Sequence, residues 1–354
     1  MMSNKIFFKK AESLPVDKFF QNVLFDKKNG YYSSKLPFGN SGDFITAPVI
    51  SNLFSEIIGV WLVSAWQTMG EPKKFNIVEL GPGNGDLTKT LLKTFKQFPA
   101  FDNIVNIFLY EKSTFLKTIQ KKNINNSKVK WIENFSKLNT GPVIFFGNEF
   151  FDAIPIKQFA REKNLFFEKY YSFDKRKKIN EVYKKTSTKY ISKIKKFKAL
   201  KKLSFIEYPE LGLNELKKTI KVISKRGGGL LLIDYGYLKP KNVNTLQSII
   251  KHKKNKLLDN LGRADITSLV NFKLLNEYFI KNNLKVKKIV TQKFFLEKMG
   301  IIQRADNISK NMNFSEQADL YLRLKRLLDK KLMGDLFKVI FTYNFKKDNF
   351  FGFE

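Results

Sequence analysis

The apolar run Phe75-Asn76-Ile77-Val78-Glu79-Leu80 ends in Gly81-Pro82-Gly83-Asn84-Gly85-Asp86, and Leu87-Thr88-Lys89-Thr90-Leu91-Leu92 then resumes at helical spacing. Strand, glycine turn and helix in that order form half of a βαβ unit, the building block of parallel sheets covered by helices on both faces. Further apolar runs at residues 106–110, 129–132, 142–146 and 230–233 continue the pattern. The spacing predicts an α/β fold.

Glycines at positions 81, 83 and 85 let the backbone approach a ligand, because side chains there would occupy the ligand's volume. The spacing is Gly-x-Gly-x-Gly, not the Gly-x-Gly-x-x-Gly of dinucleotide sites, and Pro82 lacks the N–H that a pyrophosphate cradle would use. The turn suits a ligand without phosphates, such as S-adenosylmethionine. Glu111 closes the second strand, where a carboxylate can accept both hydroxyls of a ribose; its alternative is a solvated surface position. Glu79 and Asp86 flank the turn and suit either an ammonium group of the ligand or the loop itself. The candidate cofactor-binding set is Glu79, Gly81, Gly83, Gly85, Asp86 and Glu111.

Composition removes other chemistries. Among 354 residues there is no Cys and one His, His252, which excludes thiolate nucleophiles and Cys-ligated metal, and gives no His-rich cluster for a metal site. With 43% hydrophobic residues the chain can bury a core, while 65 Lys+Arg against 32 Asp+Glu leave a formal charge of +33. That surplus fits a phosphate binder, but an abundance of Phe, Ile, Asn and Lys together is also what low-GC coding produces. Runs such as Lys193-Ile194-Lys195-Lys196 and Lys251-His252-Lys253-Lys254 read as solvated faces. The start of the chain shows no secretory pattern and no stretch of about 20 apolar residues occurs, so a soluble, cytoplasmic protein is expected.

Four segments organise the chain: 1–72 as an N-terminal helical region, 73–156 as the first half of the core, 157–225 as an inserted lid, and 226–354 as the second half. Residues 49–69 read as one amphipathic helix with Pro48 in its first turn, packed in the core or lying on a membrane surface. Residues 174–180 read as a turn between strands in the insertion, and residues 336–343 as a final edge strand.

Five motifs in register resemble the MidA family: Gly42-Asp43-Phe44-Ile45-Thr46-Ala47-Pro48, Val78-Glu79-Leu80-Gly81-Pro82-Gly83-Asn84-Gly85, Asn148-Glu149-Phe150-Phe151-Asp152-Ala153-Ile154-Pro155, Asp234-Tyr235-Gly236 and Gly262-Arg263-Ala264-Asp265-Ile266-Thr267. The resemblance runs from about Tyr31 to the Met333–Lys338 segment. It implies a Rossmann-like class I methyltransferase sheet, S-adenosyl-L-methionine as cofactor, and methylation of arginine on a partner protein, in the mitochondrial members a respiratory complex I subunit; a eukaryotic member is then expected in the mitochondrial matrix. The chain departs from the family pattern at Asn84, where many relatives carry Arg, and at Leu269 and Asn271, where they usually carry His and Asp. His252 matches a family His, and otherwise reads as a surface residue.

An arginine acceptor is a permanent cation and a poor nucleophile; paired carboxylates can hold it, localise its charge and help remove its proton. Asn148-Glu149-Phe150-Phe151-Asp152 puts two carboxylates three residues apart at the carboxyl end of a strand, where sites in open α/β sheets lie. Glu149 and Asp152 are the candidate guanidinium pair with Asn148 orienting them; Asp43 and Asp265 are candidates for the same cleft. The plainer alternatives make Asp152 a cap and Glu149 a buried ion-pair partner. Two rival functions stand beside this one: an RNA or DNA methyltransferase stacking bases on Trp131, Tyr170 and Tyr171, and a non-catalytic assembly factor that keeps the cofactor fold. Nothing in the sequence fixes the oligomeric state.

Overall fold

The structure, a computed structural model, describes residues 4–34, 46–176 and 178–354. The chain divides into two compact units, neither continuous in sequence: Met1–Phe44 with Phe151–Lys217 and Tyr237–Tyr278, and Ile45–Phe150 with Lys218–Gly236 and Phe279–Glu354.

The second unit carries the parallel sheet. Its strands are β1 (Phe75–Leu80), β2 (Val105–Tyr110), β3 (Val129–Ile132), β4 (Val143–Asn148), β5 (Gly228–Tyr237) and β6 (Phe337–Asn344), and its first three long helices are α1 (Asn52–Thr68), α2 (Asp86–Phe95) and α3 (Thr114–Ile124). Strands β5-β4-β1-β2-β3 run parallel in that order, and β6 lies antiparallel to β5. Every residue of β1 and β5 is buried, which is why both read as nearly continuous apolar runs and do not alternate. Strand β6 also departs from the alternation expected of an edge. It is buried along almost all its length, with the two-residue strands Lys285–Val286 and Val290–Thr291 paired on its outer side.

The helix expected over residues 49–69 is broken. One short turn, Ala47–Ile50, ends at Ser51, whose backbone is extended (φ −154°), and α1 starts afresh at Asn52 with the Ser51 hydroxyl accepting the Leu53 N–H at 3.2 Å. A serine oxygen that takes a backbone donor is worth more as a cap than in a helix interior. Leu53, Phe54, Ile57, Ile58, Trp61, Leu62 and Ala65 are all buried, so α1 packs in the core and the membrane-surface alternative falls. No helix among the described residues is long and apolar enough to cross a membrane.

The first unit is antiparallel. Strands Lys157–Glu162, Leu165–Phe173, Ile179–Lys185 and Phe205–Tyr208 form one sheet, and the N-terminal strand Ser13–Pro15 joins it with Leu14 opposite Tyr171. The N-terminal region is thus not wholly helical. Asp174 closes the expected turn, its carboxylate accepting the Lys178 N–H at 2.9 Å. Phe8, Phe19, Phe20 and Tyr171 form an aromatic core with ring centroids 4.9 to 5.5 Å apart. Tyr171 is 0% exposed and has no face to offer a base, so it drops out as a stacking residue. Lys157 is buried between Asp17 at 3.1 Å and Glu168 at 2.8 Å, tying the helix Val16–Phe25 to the hairpin. His252 sits exposed at the two-residue tip of the hairpin Gln247–Ile250 and Lys253–Asn255, with φ of 48° at Lys251 and 61° at His252; it is a turn residue.

Candidate functional site

The glycine turn leaves the carboxyl end of β1 and enters α2. Gly81, Gly83 and Gly85 adopt φ of +66°, +56° and +90°, where L side chains are strained by roughly 1 kcal/mol or more. A Cβ on Gly81 would stand 2.9 Å from the Phe150 ring, and one on Gly85 would stand 2.9 Å from Cδ1 of Ile124. Backbone conformation and the protein's own packing therefore demand glycine at 81 and 85, a reason beside the ligand volume expected to exclude side chains there. The Gly85 N–H donates to the Pro82 carbonyl at 2.8 Å and closes the turn. Asn84, the departure from the family pattern, donates to the Asp86 carboxylate at 2.6 Å, and Asn123 of α3 donates to the other Asp86 oxygen at 2.8 Å. Of the two readings for Asp86, these bonds engage it in holding the loop.

Glu79 is buried in β1 and accepts from the Thr88 hydroxyl of α2. Burial pushes its carboxyl up to about 7; the Thr88 bond works against this, and Asp86 and Glu111 add repulsion. The folded group titrates near 7 and the unfolded one near 4.5, so the unfolded chain releases its proton first as pH rises. Its contribution to stability is therefore full below 4.5 and is lost as pH climbs towards 7. Glu79→Gln is expected to flatten the dependence of unfolding free energy on pH between about 5 and 8, and to stabilise the protein at the alkaline end by on the order of 2 kcal/mol. Urea denaturation across that range checks it; an unchanged slope would mean the buried carboxyl is ionised throughout.

Glu111 follows β2 directly and is 8% exposed, so the solvated-surface alternative fails. Burial raises its titration, while the N–H groups of Ser113 and Lys112 and the Gln120 amide oppose the rise. One carboxylate oxygen accepts the Ser113 N–H at 2.7 Å and the other the Gln120 side chain at 3.1 Å. A carboxylate offers about four acceptor positions, more than the Ser113, Lys112 and Gln120 donors take up. Gln120 also donates to the Gly83 carbonyl at 2.8 Å and accepts from the Trp131 indole at 2.9 Å. Sequence reasoning missed Gln120, Asn123 and Thr88. The available signal was the stripe Leu116, Gln120, Ile124 at i, i+4, i+8 of α3, an apolar face interrupted by one amide. A cavity of about 590 Å³ opens between α3 and β3, lined by Trp131, Lys117, Lys121 and Lys137; no residue of the turn lines it.

At the end of β4, Asn148 donates to the Glu149 carboxylate at 3.1 Å, and its own Oδ1 is buried with no hydrogen-bond partner among the described residues. Glu149 is half-buried and left-handed, φ +52°, with its N–H donating to the Ile233 carbonyl of β5 at 2.9 Å. Phe150 turns back onto Gly81. Asp152 belongs to the other unit, is buried, and lies in a turn whose carbonyl accepts the Ser268 N–H at 3.1 Å; it caps no helix. In that same unit Asp265 is buried and receives the Tyr32 hydroxyl at 3.0 Å, and burial together with Asp265 and Asp152 pushes the Tyr32 phenol well up. Asp43 lies outside the described residues. Asn271, the second departure from the family, accepts the Leu274 N–H at 3.1 Å and opens the helix Phe272–Lys281. Among the described residues no group of three His, Asp or Glu side chains is placed to hold a metal ion.

A family model described as "Putative S-adenosyl-L-methionine-dependent methyltransferase" matches residues 57–290. The chain is 27% identical to the mitochondrial protein arginine methyltransferase NDUFAF7 of Xenopus tropicalis, over 95% of this chain and 84% of that protein. It is 28% identical to the Danio rerio protein of the same name, over 94% and 83%. A Burkholderia thailandensis crystal structure bound to S-adenosyl-homocysteine superposes with a TM-score of 0.81 at 19% identity, covering 97% of this chain and 89% of that one; at that identity the fold is what the two share.

Proposed function

Because the chain belongs to this family of S-adenosyl-L-methionine-dependent methyltransferases, we propose that it methylates an arginine on a partner protein. The observation that carries the reading is Glu149, a half-buried carboxylate held in a left-handed conformation at the carboxyl end of the central strand β4. Strained non-glycine residues persist where function requires their geometry, at a cost of about 1–3 kcal/mol. The names of the relatives support arginine as the acceptor and a protein as its carrier.

The residues present fit the cofactor. Glu111, whose acceptor capacity its protein donors do not exhaust, takes the ribose hydroxyls. The positive-φ turn Gly81–Gly85 brings its backbone to the ligand's amino-acid portion, and Glu79 is the proposed carboxylate beside its ammonium group, while Asp86 holds the loop. S-adenosylmethionine, when bound, provides a methyl carbon on a cationic sulfur, open to in-line attack by a nitrogen. Glu149, steadied by Asn148, binds the guanidinium, concentrates its charge on the nitrogens next to the carboxylate and leaves another nitrogen more nucleophilic. A guanidinium that gains a methyl must shed a proton to stay singly charged, and the Glu149 carboxylate accepts it. Asp152, three residues along the chain, is the second proposed carboxylate of the pair, on the strength of its spacing.

The partner is, by the family resemblance, a respiratory complex I subunit, met in the mitochondrial matrix if the source is eukaryotic and in the cytoplasm otherwise. The test uses the full chain, methyl-labelled S-adenosylmethionine, and protein and RNA extracts from cells lacking the gene. Label on arginine by mass spectrometry is expected. Label in RNA transfers the assignment to the nucleic-acid reading, and absence of label with intact S-adenosylhomocysteine binding makes the protein a non-catalytic assembly factor.

A further inference from the structure

We propose that Gln120 is a positioning residue for the cofactor cradle, a single side chain that ties the glycine turn after β1 to the acid after β2 and orients that acid to accept hydroxyl groups. The inference rests on the reading of Glu111 as the ribose acceptor. Gln120 is 0% exposed. Its Nε2 donates to the Gly83 carbonyl at 2.8 Å and to the Glu111 carboxylate at 3.1 Å, and its Oε1 accepts the Trp131 indole N–H at 2.9 Å.

Chemistry alone fixes which end of the amide faces which partner. An indole N–H only donates, and a carbonyl and a carboxylate only accept, so the oxygen must face Trp131 and the nitrogen must face Gly83 and Glu111. Both amide hydrogens are used. Packing gives no reason for the amide, since Gln120 lies between Leu116 and Ile124 on the buried stripe of α3, where leucine would fill the space without desolvating a polar group. The three partners come from three separate places: the turn before α2, the end of β2, and β3. Only the first two belong to the proposed cofactor cradle; Trp131 acts from outside as the stop that prevents the amide from flipping.

Two consequences follow for ligand binding. The Gly83 carbonyl is held inside the turn, which keeps the φ of +56° that brings the backbone to the ligand. The donated hydrogen bond favours the anionic, hydroxyl-accepting form of Glu111 against its burial.

The experiment compares full-length wild type with Gln120→Met, which keeps length and loses both donors, by calorimetric titration with S-adenosylhomocysteine from about pH 5 to pH 8. The Glu111 carboxyl is followed in the ligand-free protein by carbon-13 NMR, with Glu111→Gln as the assignment control. Q120M is expected to bind S-adenosylhomocysteine roughly 10- to 100-fold more weakly at neutral pH, the range expected for a lost bond to a charged group. The pH at which affinity falls away moves upward, and so does the Glu111 titration, because the anion has lost a donor. Trp131→Phe removes only the N–H that fixes the amide, and is expected to shift both in the same direction with a loss of about 2- to 10-fold; it serves if Q120M does not fold. Weakened binding with both titrations unmoved would assign Gln120 a structural role and overturn the proposal, as would wild-type affinity in a folded Q120M. A wild type that takes up no S-adenosylhomocysteine brings down the functional reading and this inference together, whereas normal wild-type binding beside an unaltered Q120M brings down this inference alone.

Discussion

Glu149→Gln is expected to lower methyl transfer to protein by about 10²- to 10⁴-fold while leaving S-adenosylhomocysteine affinity within about twofold of wild type. Glutamine keeps the shape and an acceptor but removes the charge that holds a guanidinium and the base that receives its proton. Its more telling companion is Glu149→Gly. At φ +52° a glutamate pays a steric penalty of about 1–2 kcal/mol that glycine escapes. Glycine loses contacts that the side chain makes, among them the Asn148 amide at 3.1 Å and the Ala47 N–H at 3.4 Å. The relief of strain offsets part of that loss, so Glu149→Gly should unfold within about 1 kcal/mol of wild type while losing activity as fully as E149Q. Ordinary truncation at the end of a central strand would cost more. Urea denaturation alongside a labelled-methyl assay separates the cases, and a Glu149→Gly protein that keeps its activity removes this residue from the mechanism.

The parallel sheet was legible in the sequence because most of its strands are buried on both sides, and burial on both sides writes a nearly unbroken apolar run. Strands β1, β2, β4 and β5 carry that signature, while β3 leaves Lys130 exposed. The same rule hid the character of β6, whose expected alternation belongs to a strand with one wet face. Ser51 escaped notice for a different reason. Its neighbours keep helical spacing on both sides, and only the hydroxyl's bond to the Leu53 N–H interrupts the backbone. The turn and Glu111 were readable as types at positions, but the reason for the glycines was not, since Phe150 and Ile124 come from 69 and 39 residues further along the chain than the glycines they cover. Gln120 was invisible for the same reason: nothing local tells an amide on an apolar stripe from a weakly amphipathic helix, and its three partners lie 37, 9 and 11 residues away. The strand Ser13–Pro15 reaches Leu165–Phe173 across some 150 residues, so the grouping of the N-terminal segment with part of the insertion is a tertiary fact with no local trace.

Gly228→Ala should destabilise the protein by about 4 kcal/mol or more, a large share of the roughly 5–15 kcal/mol that holds a domain together, and should leave little soluble material at growth temperature. Gly228 opens β5 at φ +113°, and a Cβ there would stand 1.9 Å from the Val143 carbonyl oxygen and 2.8 Å from the Val143 nitrogen. These are backbone atoms of the adjoining parallel strand, with no rotamer to yield. Gly70→Ala supplies the control, because Gly70 also has positive φ, +84°, but has nothing within 4 Å of a Cβ; it should cost only about 1 kcal/mol. The difference between the two variants isolates the clash from the conformational strain. Equal losses in urea denaturation would mean that β5 slides away from β4 at little cost, and that result would undercut the site as well as the sheet. Gly228 pairs with Val143, and the same register carries Ile233 to Asn148 and delivers the Ile233 carbonyl to the Glu149 N–H. A shift of one residue between these strands would invert which side chains face each side of the sheet, and Glu149 would lose the backbone bond at the point where its left-handed turn begins.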